Sequence, residues 1–279
     1  MPKQADILSF DAALRSRLTS HLMRTVHAMP LETDPFPHIV IRSFFPEDVY
    51  DQLLRTIPDY SLFEAFAYEK HQLQDGSSNR KRFQLTNASI QQLTAGQQRF
   101  WMTIRSALGS PELKSAIFQK LAPGLAFRYG ISPSEATKLP GFALPELFHE
   151  TRGYHIAPHP DTRRKVVTMQ IALPRDNSHS HLGTEFYRRS LNPMSWLREP
   201  RGFETVKRMP FERNTAYAFT VLNTLTLKSW HGRTTLSQES VVRNSILNIW
   251  YEKAEQTNLD LIQEQIQLGQ IPDVLRKAA

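Results

Sequence analysis

The stretch GYHIAPHPDTRRKVVTMQIALP, residues 153–174, decides how this chain is read. Its second half, Lys165 to Leu173, is an apolar, β-branched run closed by Pro174, which is the pattern of a strand. Its first half sets His159 and Asp161 two residues apart around Pro160. On an extended chain, residues i and i+2 project from one face. Pro160 drives His159 toward the extended region. One strand end can therefore present an imidazole and a carboxylate side by side. Taken alone, the pair also reads as a loop histidine next to a turn aspartate.

Working outward, short β-rich runs recur at 142–148, 154–157, 184–187, 215–219, 225–230 and 242–251, with turn signals between them. Many short strands with little helix between them predict a barrel or jelly roll. The first half has a different texture. Ile7, Phe10, Leu14, Leu18, Leu22 and Val26 recur at helical spacing, so residues 5–28 are expected to be helical until Pro30 and Asp34-Pro35-Phe36-Pro37 break the pattern. A strand is expected over 38–45, a proline-initiated helix over 46–57, a polar loop over 68–82, a helix over 89–108, another from Pro111, and a last one over 258–268. The expected class is α+β, with one domain over 1–279: a mainly helical part with one early strand (1–139), a β-rich core (140–252) and a C-terminal helix (253–279).

Composition limits the chemistry. Cysteine is absent, so there is no disulfide framework and no thiolate site, and any metal must be held by histidine, carboxylate and water. No apolar run approaches the ~18 residues of a membrane span. The first 31 residues mix charges instead of forming a secretory leader, so a cytoplasmic protein without a membrane partner is expected. The net charge of +7 fits either a solvated basic surface or an anionic ligand. No long Lys/Arg block with interleaved aromatics occurs, and no nucleic-acid partner is expected.

A third ligand for a His-x-Asp pair would come from a distant strand. His231, in Ser229-Trp230-His231-Gly232 at the end of an apolar run, is the candidate. Two histidines and one carboxylate on a β scaffold form a facial triad that leaves open positions on Fe(II). His231 is also read as a strand-end histidine bonded to backbone. Arg243, twelve residues later, shares a strand face with Ser245 within an otherwise apolar run. A buried arginine there needs an anion, and its fork matches a carboxylate, to which a serine hydroxyl can add a bond.

The order His159-x-Asp161, His231, Arg243-x-Ser245 resembles the Fe(II)/2-oxoglutarate-dependent oxygenases, most closely the prolyl-hydroxylase-like branch and its bacterial small-molecule relatives. Residues 164–174, Leu182-Gly183-Thr184-Glu185-Phe186-Tyr187 and Pro35 to Phe45 resemble flanking strands of that family, so the likeness spans roughly 35–252. The resemblance implies a double-stranded β-helix (jelly roll) with flanking N-terminal helices and a C-terminal helix. It implies Fe(II) on His159, Asp161 and His231. It implies 2-oxoglutarate chelated to the metal, with its distal carboxylate on Arg243 helped by Ser245. Thr168 and Gln170 would line the cosubstrate pocket. With O₂, such an enzyme decarboxylates 2-oxoglutarate to succinate and CO₂ and oxidises an unactivated C–H bond of a small-molecule substrate, anionic or carrier-linked. Asp161 stands where the halogenating relatives carry Gly or Ala, which implies hydroxylation. Ile249 stands where alkylated-base demethylases carry a second arginine, which argues against nucleic-acid repair.

The remaining histidines have blander readings. His155 is expected at the pocket edge or surface, His149 as structural, and His179 and His181 as a solvated loop pair; His21, His27, His38 and His71 have no partner in the pattern. Arg163, Arg164, Lys165, Arg188, Arg189, Arg198, Arg201, Lys207 and Arg208 are either solvated charges or receptors for an anionic substrate group. Two other functions stay open. One is a protein or peptide hydroxylase, with residues 177–208 forming a groove. The other is a non-catalytic jelly-roll protein binding a metal or ligand.

Overall fold

The computed structural model describes residues 10–66, 78–236 and 242–273, and shows an α+β chain with two antiparallel sheets. The helical half comes first. Helix α1 (Ala12–Ala28) starts where the Asp11 carboxylate accepts from the Leu14 N–H at 2.9 Å, and it buries Leu18, Leu22 and Val26. Strand β1 (His38–Arg42) and helix α2 (Glu47–Arg55) follow. The polar loop expected over 68–82 is corrected at its end. Residues 67–77 lie outside the described residues, but β3 (Arg80–Gln84) pairs with both β2 (Glu64–Ala65) and β4 (Phe142–Glu150). The helix expected over 89–108 is two helices, α3 (Asn87–Ile90) and α4 (Ala95–Leu108). Thr94 and Gln97 form a capping box there, which restarts the helix and explains the break. Helices α5 (Pro111–Lys120), α6 (Ala122–Tyr129) and α7 (Pro133–Ala136) complete this half.

The β-rich half contributes β5 (Ile156–His159), β6 (Lys165–Ala172), β7 (Glu185–Arg189), β8 (Phe203–Arg208), β9 (Thr215–Thr220), β10 (His231–Arg233) and β11 (Arg243–Tyr251), then helix α8 (Leu259–Gln267). The larger sheet has the order β1-β9-β6-β11-β4-β3-β2, and the smaller one β5-β10-β7-β8. The strand expected over 225–230 is not formed. Thr224 closes a turn with Leu227 through both its backbone and its hydroxyl, Leu225 is left exposed, and the strand begins only at His231. Strand β8, within the 177–208 stretch that the sequence offered as a groove, pairs with β7.

The period-2 alternation of the larger sheet sorts its residues. Val167, Met169 and Ile171 of β6, Ala216 and Ala218 of β9, and Ile246 and Trp250 of β11 join Leu18, Leu22, Trp101, Ile117 and Phe118 from the helices in one core. Tyr217 and Phe219 of β9 face the other way, packing with Phe36 and Phe186 of the smaller sheet's side. Thr168 and Gln170, and Arg243, Leu247 and Ile249, line a cavity on that same face. No helix among the described residues is long and apolar enough to cross a membrane.

Candidate metal centre

His159 ends β5 and His231 begins β10, and the two are direct partners in the antiparallel register. Their rings lie 4.4 Å apart between centroids. Asp161 follows β5 in the link to β6, where Asn223 donates to its backbone carbonyl at 3.3 Å. Gly232 is required for this closeness, since a Cβ there would stand 2.5 Å from the Ile156 carbonyl oxygen of β5. One ligand atom from each of His159, Asp161 and His231 falls within 4.8 Å of the others, and this is the one such group of metal-ligating side chains among the described residues.

Neighbours set the orientation and charge of each donor. The His159 Nδ1 lies 3.0 Å from the Ala157 carbonyl, and the His231 Nδ1 lies 2.9 Å from the Ser229 carbonyl. Each ring therefore donates its Nδ1–H to backbone and keeps the Nε2 lone pair free. The His231 Nε2 lies 3.8 Å from Asp161 Oδ2. Burial, reinforced by the neighbouring His231, pushes His159 down to about 4, and burial likewise lowers His231. Burial acts to raise the Asp161 carboxyl, but Lys165, His231 and Thr168 hold it well below the usual carboxylate range. Lys165 Nζ donates to Oδ1 at 2.6 Å and Thr168 Oγ1 to Oδ2 at 2.7 Å. At neutral pH the group is two neutral imidazoles and one carboxylate, the protonation state a divalent metal needs.

The donors open on a cavity of about 110 Å³. Its far end is built around Arg243, which is 2% exposed. An arginine buried this deeply needs an anion. The structure answers with Glu150, its direct partner on β4, which forms a buried ion pair with Nη1. Nη2 donates to Gln170 Oε1 at 2.8 Å and Thr184 Oγ1 at 3.2 Å, and Nε to the Leu182 carbonyl at 2.9 Å. Burial acts to lower this guanidinium, and Glu150 more than offsets it. Gln170 Oε1 also accepts from Thr184 and Tyr217, at 2.9 and 2.5 Å. Its amide donates to Ser245 Oγ at 3.1 Å. Ser245 is fully buried beside the cavity lining, where its hydroxyl accepts this bond from Gln170.

Thr168, expected in the pocket lining, lines it while bonded to Asp161. Glu150 and Arg233 are among the cavity residues that escaped the sequence reading. Glu150 lies 93 positions from Arg243, and only the β4–β11 register brings the two together. Arg233 carries the i, i+2 signal already used for His159 and Asp161, since it stands two residues beyond His231 and lines the cavity with it. The other histidines stay outside. His149 bonds Asn244, His155 bonds the Gly153 carbonyl, His21 bonds the Ser43 carbonyl, and His179 and His181 face each other at 6.1 Å; His71 lies outside the described residues. Several of the remaining cations are paired: Arg188 with Asp34, Lys207 with Glu32 and Arg208 with Glu185.

No family model and no curated protein matches the sequence. Solved structures do resemble the fold. One is a Pseudomonas putida prolyl-4-hydroxylase (13% identity, TM-score 0.47, covering 84% of this chain and 99% of that one). Another is the non-heme alpha ketoglutarate dependent epimerase SnoN from nogalamycin biosynthesis (13% identity, TM-score 0.44, covering 87% and 84%). A third is an oxidoreductase of the 2OG-Fe(II) oxygenase family from Burkholderia pseudomallei (12% identity, TM-score 0.43, covering 89% and 96%).

Proposed function

We propose that this chain is an Fe(II)- and 2-oxoglutarate-dependent dioxygenase on a double-stranded β-helix, hydroxylating or otherwise oxidising an unactivated C–H bond of a small-molecule, anionic substrate. One observation carries the reading: a three-donor metal face and a buried guanidinium end share a single cavity. A purely structural metal site would be closed by a fourth protein ligand and would not need the guanidinium. Two antiparallel sheets meeting across Phe36, Phe186 and Phe219 suit a jelly roll.

The donor set fits Fe(II), since two neutral imidazoles and one carboxylate occupy one side and leave the cavity side open. His159, Asp161 and His231 would hold the ion. When bound, it supplies O₂ activation coupled to 2-oxoglutarate decarboxylation: R–H, O₂ and 2-oxoglutarate give R–OH, succinate and CO₂. The chain's own residues do the positioning. The Ala157 and Ser229 carbonyls aim both Nε2 atoms into the cavity, and Lys165 and Thr168 fix Asp161. Arg243, braced by Glu150, Gln170 and Thr184, marks the end that receives the distal carboxylate, and Ser245 holds Gln170.

Charge supports an anionic substrate. Arg80, Lys165, Arg233 and Arg243 line the cavity against Glu150 and Asp161. A divalent metal and a dianionic cosubstrate cancel, so the positive excess persists and favours a further anion. The second reading, a protein or peptide hydroxylase, has one observation in its favour: Leu191, Met194, Trp196 and Leu197 are exposed together between β7 and β8.

The test is an anaerobic titration with Fe(II) and 2-oxoglutarate, followed by the visible charge-transfer band. A band in the wild type that His159→Ala abolishes is expected. A reconstituted wild type without a band would return the chain to the binding-protein reading. Succinate release stimulated by metabolite pools, and not by peptide pools, is the expected result for a small-molecule substrate.

A further inference from the structure

Arg233 is a buried cation whose donors the protein uses only in part. Its side chain is 7% exposed and lines the same cavity as the metal donors. Nη1 donates to the carbonyls of His181 at 3.1 Å and Gly183 at 2.8 Å. Nε is buried without a hydrogen-bond partner. Among the described residues no carboxylate oxygen forms an ion pair with it: Glu150 is held by Arg243 and Arg80, and Glu185, bonded to Arg208, acts on it only through its charge. A buried guanidinium with idle donors is costly unless an anion meets it.

Arg243 reaches the same backbone segment through its bond to the Leu182 carbonyl. Two guanidiniums thus bracket residues 181–183, and both line the cavity. They differ in availability. Of the five N–H donors of an arginine, Arg243 commits four: to Leu182, Glu150, Gln170 and Thr184. No pair of its donors is left for a bidentate carboxylate. Arg233 commits only Nη1.

The mounting is rigid on both sides. A Cβ on Gly183 would stand 1.5 Å from the Met209 carbonyl oxygen, so the bracketed turn is pressed against its neighbour. Gly232, between His231 and Arg233, presses β10 against β5 in the same way.

We infer that Arg233 is a carboxylate-binding residue of this site, taking the distal carboxylate of 2-oxoglutarate between itself and the one uncommitted N–H of Arg243. This rests on the cosubstrate reading above. Arg243 then serves mainly as a braced wall, and Arg233 supplies the free donors.

Calorimetric titration of the Mn(II)-loaded protein without O₂ tests this, using 2-oxoglutarate and 2-oxobutyrate, which keeps the oxo-acid head and lacks the distal carboxylate. Loss of a charge-assisted pair should weaken 2-oxoglutarate binding by about 10–100-fold in Arg233→Gln, with 2-oxobutyrate and Mn(II) affinities unchanged. Arg233→Lys, which keeps the charge without the fork, should lose less, and it serves if the Gln variant does not fold. Wild-type affinity for 2-oxoglutarate in a folded Arg233→Gln or Arg233→Lys would overturn the inference. So would an equal loss for both ligands, which would mark damage to the fold. A wild type that binds neither Mn(II) nor 2-oxoglutarate would instead remove the cosubstrate reading itself, and the inference with it.

Discussion

The two faces of the larger sheet are made by the same strands and do different work. On β6, Val167, Met169 and Ile171 enter the helix-covered core, while Thr168 and Gln170 face the cavity. On β11, Ile246 and Trp250 enter the core, while Arg243 faces the cavity. The helix face gains stability from apolar area removed from water, in proportion to that area and with tolerance for other shapes. The cavity face buries polar groups, which is favourable only when each finds its partner. Gln170 shows the demand: its two side-chain heteroatoms serve Arg243, Thr184, Tyr217 and Ser245. Stability and chemistry are therefore separable one residue at a time along a single strand.

The largest expected effect tests the helix face. Trp250 is fully buried and meets Phe118 edge-on at 6.2 Å. Trp250→Ala should destabilise the protein by about 3–5 kcal/mol. Urea unfolding measures that loss, and metal titration of the folded fraction should give wild-type affinity. A weakened metal site would mean the two faces are coupled through β11. Asp161→Ala probes the opposite face. Metal affinity should fall at least about 100-fold, because removing a partner outside the donor set already costs ~10–100-fold. Its unfolding midpoint should also fall, though less than that of Trp250→Ala, since the neighbours that stabilise this carboxylate lose it while Lys165, 22% exposed, can turn to water. A collapse of stability in Asp161→Ala with metal affinity intact would reverse the division.

The same alternation explains what was legible beforehand. Strand β6, with its two sides, can be read from Lys165 to Leu173 because apolar and polar residues obey the period of the pleat. The closeness of His159 and Asp161 follows from the same period, and Pro160 strengthens it. Pairings that depend on register between distant strands could not be read. Glu150 neutralises Arg243 only because β4 lies beside β11 with those residues opposed. Strand β3, next to the end of its sheet, and the edge strand β8 carry charged, half-polar sequences whose pattern does not separate them from loops. Other signals were present and went unused. Thr94 and Gln97 announce a helix start, and Arg233 repeats the i, i+2 logic from His231. Ser245 shares the strand face of Arg243, yet burial stops it at Gln170, and strand parity alone cannot tell a lining residue from one behind it.

A finer cut within the cavity face separates a donor from its support. Thr168 reaches Asp161 through one hydroxyl bond, and nothing else in its role requires oxygen. Thr168→Val keeps the shape and removes that bond. Metal affinity should drop by about tenfold, toward the low end for a lost supporting hydrogen bond. Stability should change by about 1 kcal/mol. A variant with wild-type metal affinity would show that Lys165 alone suffices to hold the carboxylate.

The smallest effect lies where the two sheets meet. His38 is fully buried on β1, its Nδ1 at 2.7 Å from the Phe36 carbonyl and its ring edge-on to Phe186 at 5.2 Å. Burial pushes its pKa down; Phe36, Glu32 and Asp34 oppose this, and Lys207 adds to it. The unfolded chain therefore binds the proton more readily than the folded one. Stability should fall as pH drops below the ordinary histidine range near 6.5. His38→Phe removes this group from the titration, so its thermal midpoint should decline less between about pH 7 and pH 5. At pH 8 the variant should be slightly less stable, having lost the bond to Phe36. Parallel pH curves for the two proteins would place the acid sensitivity elsewhere, with His149, also lowered by burial and bonded to Asn244, as the next residue to replace.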